Sequence, residues 1–134
     1  MISYRNESFS VIFGVMVDRD DWLLGEDCFL ESPGYLRNIQ NPNLGFGGQP
    51  AHMSDFLQVP ASEDHGGVHT NSGIPNRAAY LLAEGLSQEG LGQSIGRDKT
   101  EQVFYRALLL LTANADYLDA RTATTLAEDC LLYQ

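Results

Sequence analysis

The sequence predicts an all-α fold, a small bundle of four to five helices with a long irregular loop, in a single domain over residues 1–134. Three observations lead there. Apolar residues recur at helical spacing in the C-terminal third: Val103, Phe104, Ala107, Leu108 and Leu111, then Ala123, Leu126, Ala127, Cys130 and Leu131. No stretch alternates as a half-buried strand would, and no βαβ rhythm is present. Between Phe29 and Val59, Pro33, Gly34, Pro42, Gly45, Gly47, Gly48 and Pro50 interrupt every longer pattern. A chain of 134 residues, 43% hydrophobic, suffices for one modest core.

The elements follow in order. Asn6 to Val17 reads as a buried helix, because Ile12, Phe13, Val15, Met16 and Val17 leave few polar positions and more than one face must be covered. Glu7 sits in its first turn, where the helix dipole favours a carboxylate. Covering Phe9, Phe13 and Met16 is expected to need a partner, so a homo-oligomer through this helix is anticipated. Asp18 to Asp27 is an acidic turn whose oxygen density suits Ca²⁺, although its spacing is not that of an EF-hand. Within the long loop, Leu36-Arg37-Asn38 is expected as a helical turn.

Gly73 to Gly85 is expected as a helix closed by Gly85. Leu86 to Gly96 is a Gly-rich connection. Lys99 to Ala113 follows, with Asp98 as cap and Glu101 three residues later as in a capping box. Asp116 to Thr122 leads into the last helix.

Candidate chemistry lies in Asp64-His65-Gly66-Gly67-Val68-His69-Thr70-Asn71-Ser72-Gly73. The Gly66-Gly67 pair permits a tight turn, and a histidine at a loop-to-helix junction is well placed to donate a proton. Asp64 can accept from one ring nitrogen of His69 and so set the tautomer at the other. His65 and His69 are four apart, but glycines lie between them, so they do not form a helical metal pair.

The string from Asp64 to Leu82, with Asn6-Glu7 before Ile12-Phe13-Gly14, Asp21-Trp22 through Gly25-Glu26-Asp27, Leu36-Arg37, and Gly96-Arg97-Asp98-Lys99 through Phe104-Tyr105-Arg106-Ala107-Leu108, resembles the C-terminal half of the thermolysin-like zinc metallopeptidases (neutral proteases). The resemblance covers about Asn6 to Tyr133. It implies that Glu7 is a zinc ligand, that His69 is the acid stabilising an oxyanion with Asp64 orienting it, and that Arg37 binds a substrate carbonyl. It further implies that Leu36 and Leu24 line the apolar specificity pocket, and that Asp18, Asp21 and Glu26 bind structural calcium, with Leu23 offering a backbone carbonyl.

The same resemblance marks what this sequence lacks. The family's His-Glu-x-x-His helix supplies two zinc ligands and the general base. Here the only histidines are His52, His65 and His69, and no such string occurs. Val11 stands where the family has an aspartate that orients a zinc-bound histidine, and it cannot accept that hydrogen bond. Ile2-Ser3-Tyr4-Arg5 departs from the usual approach to this helix. The chain is therefore expected to be truncated, to hold no zinc, and to hydrolyse no peptide by itself. The alternative is a peptidase-derived binding or structural domain that has left catalysis behind.

The net charge of -10 argues against nucleic acid and anionic membrane surfaces, which require clustered Lys and Arg. No apolar run is long enough to span a bilayer. The family is mostly secreted, and no signal peptide is visible in this sequence. Cys28 and Cys130 match no metal spacing and read as two free thiols, with a disulfide between them left open.

Overall fold

The first helix, α1 (Tyr4–Val17), is the post around which the rest is arranged. The structure, a computed structural model, describes residues 4–85, 93–112 and 114–132. Most of the connection expected from Leu86 to Gly96 lies outside these residues. α1 touches the helices α3 (Gly73–Glu84), α4 (Arg97–Leu110) and α5 (Tyr117–Leu132). Ile12 and Val15 are fully buried, with Phe9 and Met16 nearly so. This is how a helix with apolar residues on several faces behaves when neighbours surround it.

That packing removes the need for a second copy to cover Phe9 and Met16. Phe9 is 4% and Met16 3% exposed, covered by the chain's own helices, and Phe13 is half-buried. Phe9 meets the edges of Phe13 and Phe104, with ring centroids 6.1 and 5.5 Å away. The α4–α5 hairpin closes the core with Val103, Phe104, Ala107, Ala123 and Ala127.

The helical turn expected at Leu36-Arg37-Asn38 is instead a strand. β1 (Leu23–Leu24) pairs antiparallel with β2 (Arg37–Asn38), Leu23 opposite Asn38 and Leu24 opposite Arg37. The N–H of Leu36 donates to Leu24 O at 2.8 Å and that of Ile39 to Trp22 O at 2.8 Å. Backbone groups in a Pro- and Gly-rich loop that cannot bond along a helix are satisfied across the chain instead. Two residues per strand are too few to show alternation in a sequence.

The start of α4 also differs. The helix begins at Arg97 after Gly96, whose φ of 78° suits glycine, and no side chain caps it. Asp98 and Glu101 do not form the expected capping box; both pair with Arg19, Asp98 at 2.6 Å. At the other boundary, Gly85 closes α3 as read, with φ 78° and its N–H on Leu81 O. Both cysteines are free and exposed.

Candidate functional site

Between α1 and α3 the chain makes a left-handed turn, α2 (Asp64–Gly67). Asp64, His65, Gly66 and Gly67 all have positive φ, from 47° to 87°. Glycine adopts this freely, and aspartate tolerates it because its short side chain bonds locally. The turn directs the Asp64 carboxylate back over the residues that follow. Oδ2 accepts from Thr70 N at 2.8 Å and Thr70 Oγ1 at 2.7 Å. Oδ1 accepts from His69 N at 3.2 Å and also meets the His69 ring at Nδ1.

Burial would raise the Asp64 carboxyl, but the hydrogen bonds from Thr70 and His69 outweigh it and hold the group well below the usual carboxylate range. An anion is thereby fixed against Nδ1, and Nε2 is the ring atom that faces outward. Across from it, the Glu7 carboxylate on α1 brings Oε2 to 3.3 Å from His69 Nε2. Both side chains keep access to solvent, 46% for His69 and 30% for Glu7.

Arg37 reaches the same region from β2. Its Nη1 donates to Leu36 O at 3.0 Å and to Phe46 O at 3.4 Å. Burial lowers its guanidinium from the ordinary value, while the charges of Glu7 and Asp64 oppose that shift. Leu24 and Leu36 are half-buried neighbours across the ribbon, linked by the Leu36 N to Leu24 O bond. Four predicted residues, Glu7, Arg37, Asp64 and His69, thus come together from α1, β2 and the turn before α3.

Asp18, Asp21 and Glu26 behave differently. Asp21 Oδ1 accepts from Leu23 N at 2.7 Å, which turns the chain locally. Among the described residues, no three of His, Cys, Asp and Glu gather in a way that could hold a metal ion. The described residues also include an apolar groove of about 540 Å³, lined by Phe9, Ile74, Ala78, Leu82, Tyr117 and Thr124 among others. None of the predicted site residues lines it.

Several residues of the site carried no expectation. Thr70 supplies two of the bonds that hold Asp64. Buried Asn71 pairs with the loop backbone, accepting from Leu57 N at 3.0 Å and donating to Leu57 O at 2.9 Å. Buried Ser8 donates to Asn76 Oδ1 at 2.8 Å and ties α1 to α3 one residue beyond Glu7. The sequence signal for Ser8 was a polar residue in a mostly apolar helix, and for Thr70 and Asn71 it was their place in the polar string that carries His69.

A family profile described as the thermolysin metallopeptidase alpha-helical domain matches residues 5–133. The chain is 47% identical over 121 residues to an extracellular elastase of Staphylococcus epidermidis, covering 88% of this chain and 21% of that protein. It is 47% identical over 126 residues to a bacillolysin of Brevibacillus brevis, 91% of this chain and 23% of that one. It is also 47% identical over 118 residues to neutral protease B of Bacillus subtilis strain 168, covering 84% and 21%. The chain thus spans about a fifth of the length of these relatives.

Proposed function

The chain belongs to the thermolysin metallopeptidases, as their α-helical domain, and from that premise we propose that residues 1–134 form one domain, the C-terminal part of a zinc endopeptidase that cleaves peptides only when completed by the missing machinery. Glu7 contributes one zinc ligand. His69 donates from Nε2 to the oxyanion that develops on a scissile carbonyl, and Asp64 holds the ring for that task. Arg37 binds a substrate carbonyl, and Leu36 and Leu24 bound the pocket for an apolar side chain.

The observation that carries this reading is the alignment of Asp64, His69 and Glu7, with Nδ1 on one carboxylate and Nε2 3.3 Å from the other. With Nδ1 on the Asp64 carboxylate, Nε2 is the ring atom left to donate. Arg37 is near enough for its guanidinium to feel the charges of Glu7 and Asp64, so a peptide bound here would meet a second donor in addition to the imidazole. Glu7 would offer a bound metal ion one carboxylate.

These residues do not make a zinc site by themselves. An open catalytic zinc takes three protein ligands, and no such set exists among the described residues. In the complete family enzyme the ion activates water and polarises the carbonyl. Calcium at Asp18, Asp21 and Glu26 is a separate expectation of the family resemblance, supported by the carboxylate density of that turn and opposed by the engagement of Asp21 Oδ1 with Leu23 N.

The second reading, a peptidase-derived binding domain, is favoured by Val11. It packs half-buried against the core where the family has an orienting aspartate.

The test is a fusion of this chain behind the portion of the Brevibacillus brevis bacillolysin that precedes the matched region. The fusion is expected to cleave a furylacryloyl dipeptide in a chelator-sensitive way, whereas the chain alone leaves it intact. His69→Ala in the fusion is expected to lower kcat by roughly 10²–10³, the usual loss for one oxyanion donor. A folded fusion whose rate ignores His69→Ala, or cleavage by the isolated chain, refutes the assignment.

A further inference from the structure

The peptide unit between His69 and Thr70 is held from both sides. Its N–H, on Thr70, donates to Asp64 Oδ2 at 2.8 Å. Its carbonyl, on His69, accepts from Ser72 Oγ at 2.7 Å and from Gln49 Nε2. Gln49 Nε2 also donates to Ser72 Oγ at 3.0 Å, so the three groups close a small buried ring of hydrogen bonds. Gln49 is 4% and Ser72 1% exposed.

The backbone around Gln49 is equally fixed. A Cβ built on Gly73 would lie 2.6 Å from Gln49 Cβ and 2.6 Å from Pro50 O, so Gly73 is what lets the loop approach α3 this closely. The N–H of Gln49 donates to Pro42 O at 3.0 Å, and Gly45 N shares that acceptor at 3.3 Å. One residue on, Phe46 N donates to Leu36 O at 3.2 Å, and Phe46 O accepts from Arg37. Hydrogen bonds, joined by short stretches of the loop, thus link Arg37 to Gln49 and Gln49 to the His69 peptide.

We infer that Gln49 is a positioning residue, whose amide fixes the His69 peptide plane and with it the placement of the imidazole relative to Asp64 and to Arg37. The inference rests on the reading of His69 as the proton-donating group. Gln49 touches neither substrate nor metal; it acts through the His69 carbonyl. Two donors on one carbonyl fix its direction as well as its distance. That direction sets where the imidazole leaves the backbone. Because Gln49 follows Arg37 on the same loop, it also ties the His69 peptide to the backbone that carries the guanidinium.

The test uses the ¹⁵N-labelled 134-residue chain and reads the hydrogen-bonded Nδ1 proton of His69, identified by its loss in His69→Ala. Gln49→Leu keeps an apolar bulk against Gly73 and removes the donor. It is expected to move that resonance upfield and to speed its exchange with water about tenfold, the worth of roughly one hydrogen bond. Amide shifts in α4 and α5 are expected to stay in place. Ser72→Ala, which removes the other donor to the His69 carbonyl together with the acceptor that holds Gln49 Nε2, is expected to show the same change at smaller size, and it decides the matter if Gln49→Leu does not fold. A folded Gln49→Leu or Ser72→Ala chain with an unchanged His69 resonance, even with lower stability, overturns the inference. Asp64→Ala tests the pairing beneath it: if the hydrogen-bonded Nδ1 proton is absent from the unaltered chain or survives Asp64→Ala, the Asp64–His69 pairing itself falls.

Discussion

The acidic turn from Asp18 to Asp27 and the turn from Asp64 to Ser72 are both short, polar and rich in oxygen, yet they are built to different ends. In the second, the polar groups bond to one another. Asp64 is encircled by Thr70 and His69, the His69 carbonyl by Gln49 and Ser72, and the second ring nitrogen, Nε2, faces the Glu7 carboxylate. In the first, the polar groups fasten the turn to the bundle. Arg19 bonds to Met16 O at 2.8 Å and pairs with Asp98 and Glu101 on α4. Trp22 donates from Nε1 to Glu84 at 3.1 Å, meets the edge of Tyr80, and lies under the Arg97 guanidinium, 3.9 Å from the ring centroid. A dense run of carboxylates is therefore not by itself a cation site; what matters is whether their oxygens converge on a point left open.

The most severe way to break this contrast is Trp22→Ala. Trp22 is buried at the centre of the fastening, and removing such a side chain costs about 3–5 kcal/mol. Urea unfolding of the variant is expected to show that loss. If the two turns are mechanically separate, a folded Trp22→Ala chain keeps the hydrogen-bonded His69 proton unchanged. Its disappearance would join the two turns into one unit.

Gly67→Ala acts on the other turn. At φ +85°, an added Cβ would lie 2.7 Å from Asn71 Nδ2 and 3.0 Å from Val59 Cγ2. Left-handed backbone strain of roughly 1–2 kcal/mol then adds to the disturbance of Asn71, which holds the loop at Leu57. A total near ~2 kcal/mol is expected by the same urea measurement. Gly47→Ala is the comparison, since φ is +79° there and nothing lies within 4 Å of the added carbon. Equal losses at the two positions would show that the turn around His69 is no tighter than an open loop.

How far the sequence revealed these features depends on the range of the interactions behind them. The helices were legible because their apolar periodicity is local, and Gly85 was legible because a helix stop is local too. Arg97 rather than Lys99 opens α4 because Asp98 and Glu101 turn to Arg19, a partner about eighty residues away that no local capping rule contains. The β1–β2 ribbon left no trace, since its pairing is carried by backbone groups. The pairing of Asp64 with His69 could be read from their own short string, whereas Glu7 and Arg37 joined them only through the family resemblance, and no spacing rule would have joined residues on three elements. Gln49 was invisible for a further reason: its partner is a main-chain carbonyl, which every residue possesses.

Acid exposes the second turn by a different route. Burial alone would raise the Asp64 carboxyl, and its hydrogen bonds more than reverse that, so the folded chain binds this proton less readily than the unfolded chain. The stability Asp64 contributes is therefore complete above the unfolded carboxylate value of about 3.9 and declines as pH falls below it. Thermal melts at pH 7, 4 and 3 are expected to show a steeper fall for the unaltered chain than for Asp64→Asn. Parallel curves would mean that the carboxylate is not held as an anion by Thr70 and His69.

The smallest effect is expected from calcium, and it bears directly on the acidic turn. Calcium takes six to eight oxygens, usually with several carboxylates converging. Asp21 already directs Oδ1 at Leu23 N, and no set of three acidic or histidine side chains gathers there among the described residues. An ion would have to displace that bond and draw in Asp18 and Glu26 from an exposed, highly hydrated turn, offsetting much of its own binding. Millimolar Ca²⁺ is therefore expected to raise Tm by less than about 1 °C, the shift that a few tenths of a kcal/mol gives in a domain of this size. A rise of several degrees, abolished by Asp21→Asn, would show that the turn rearranges into a cation site and that its oxygens can converge after all, which removes the distinction between the two turns.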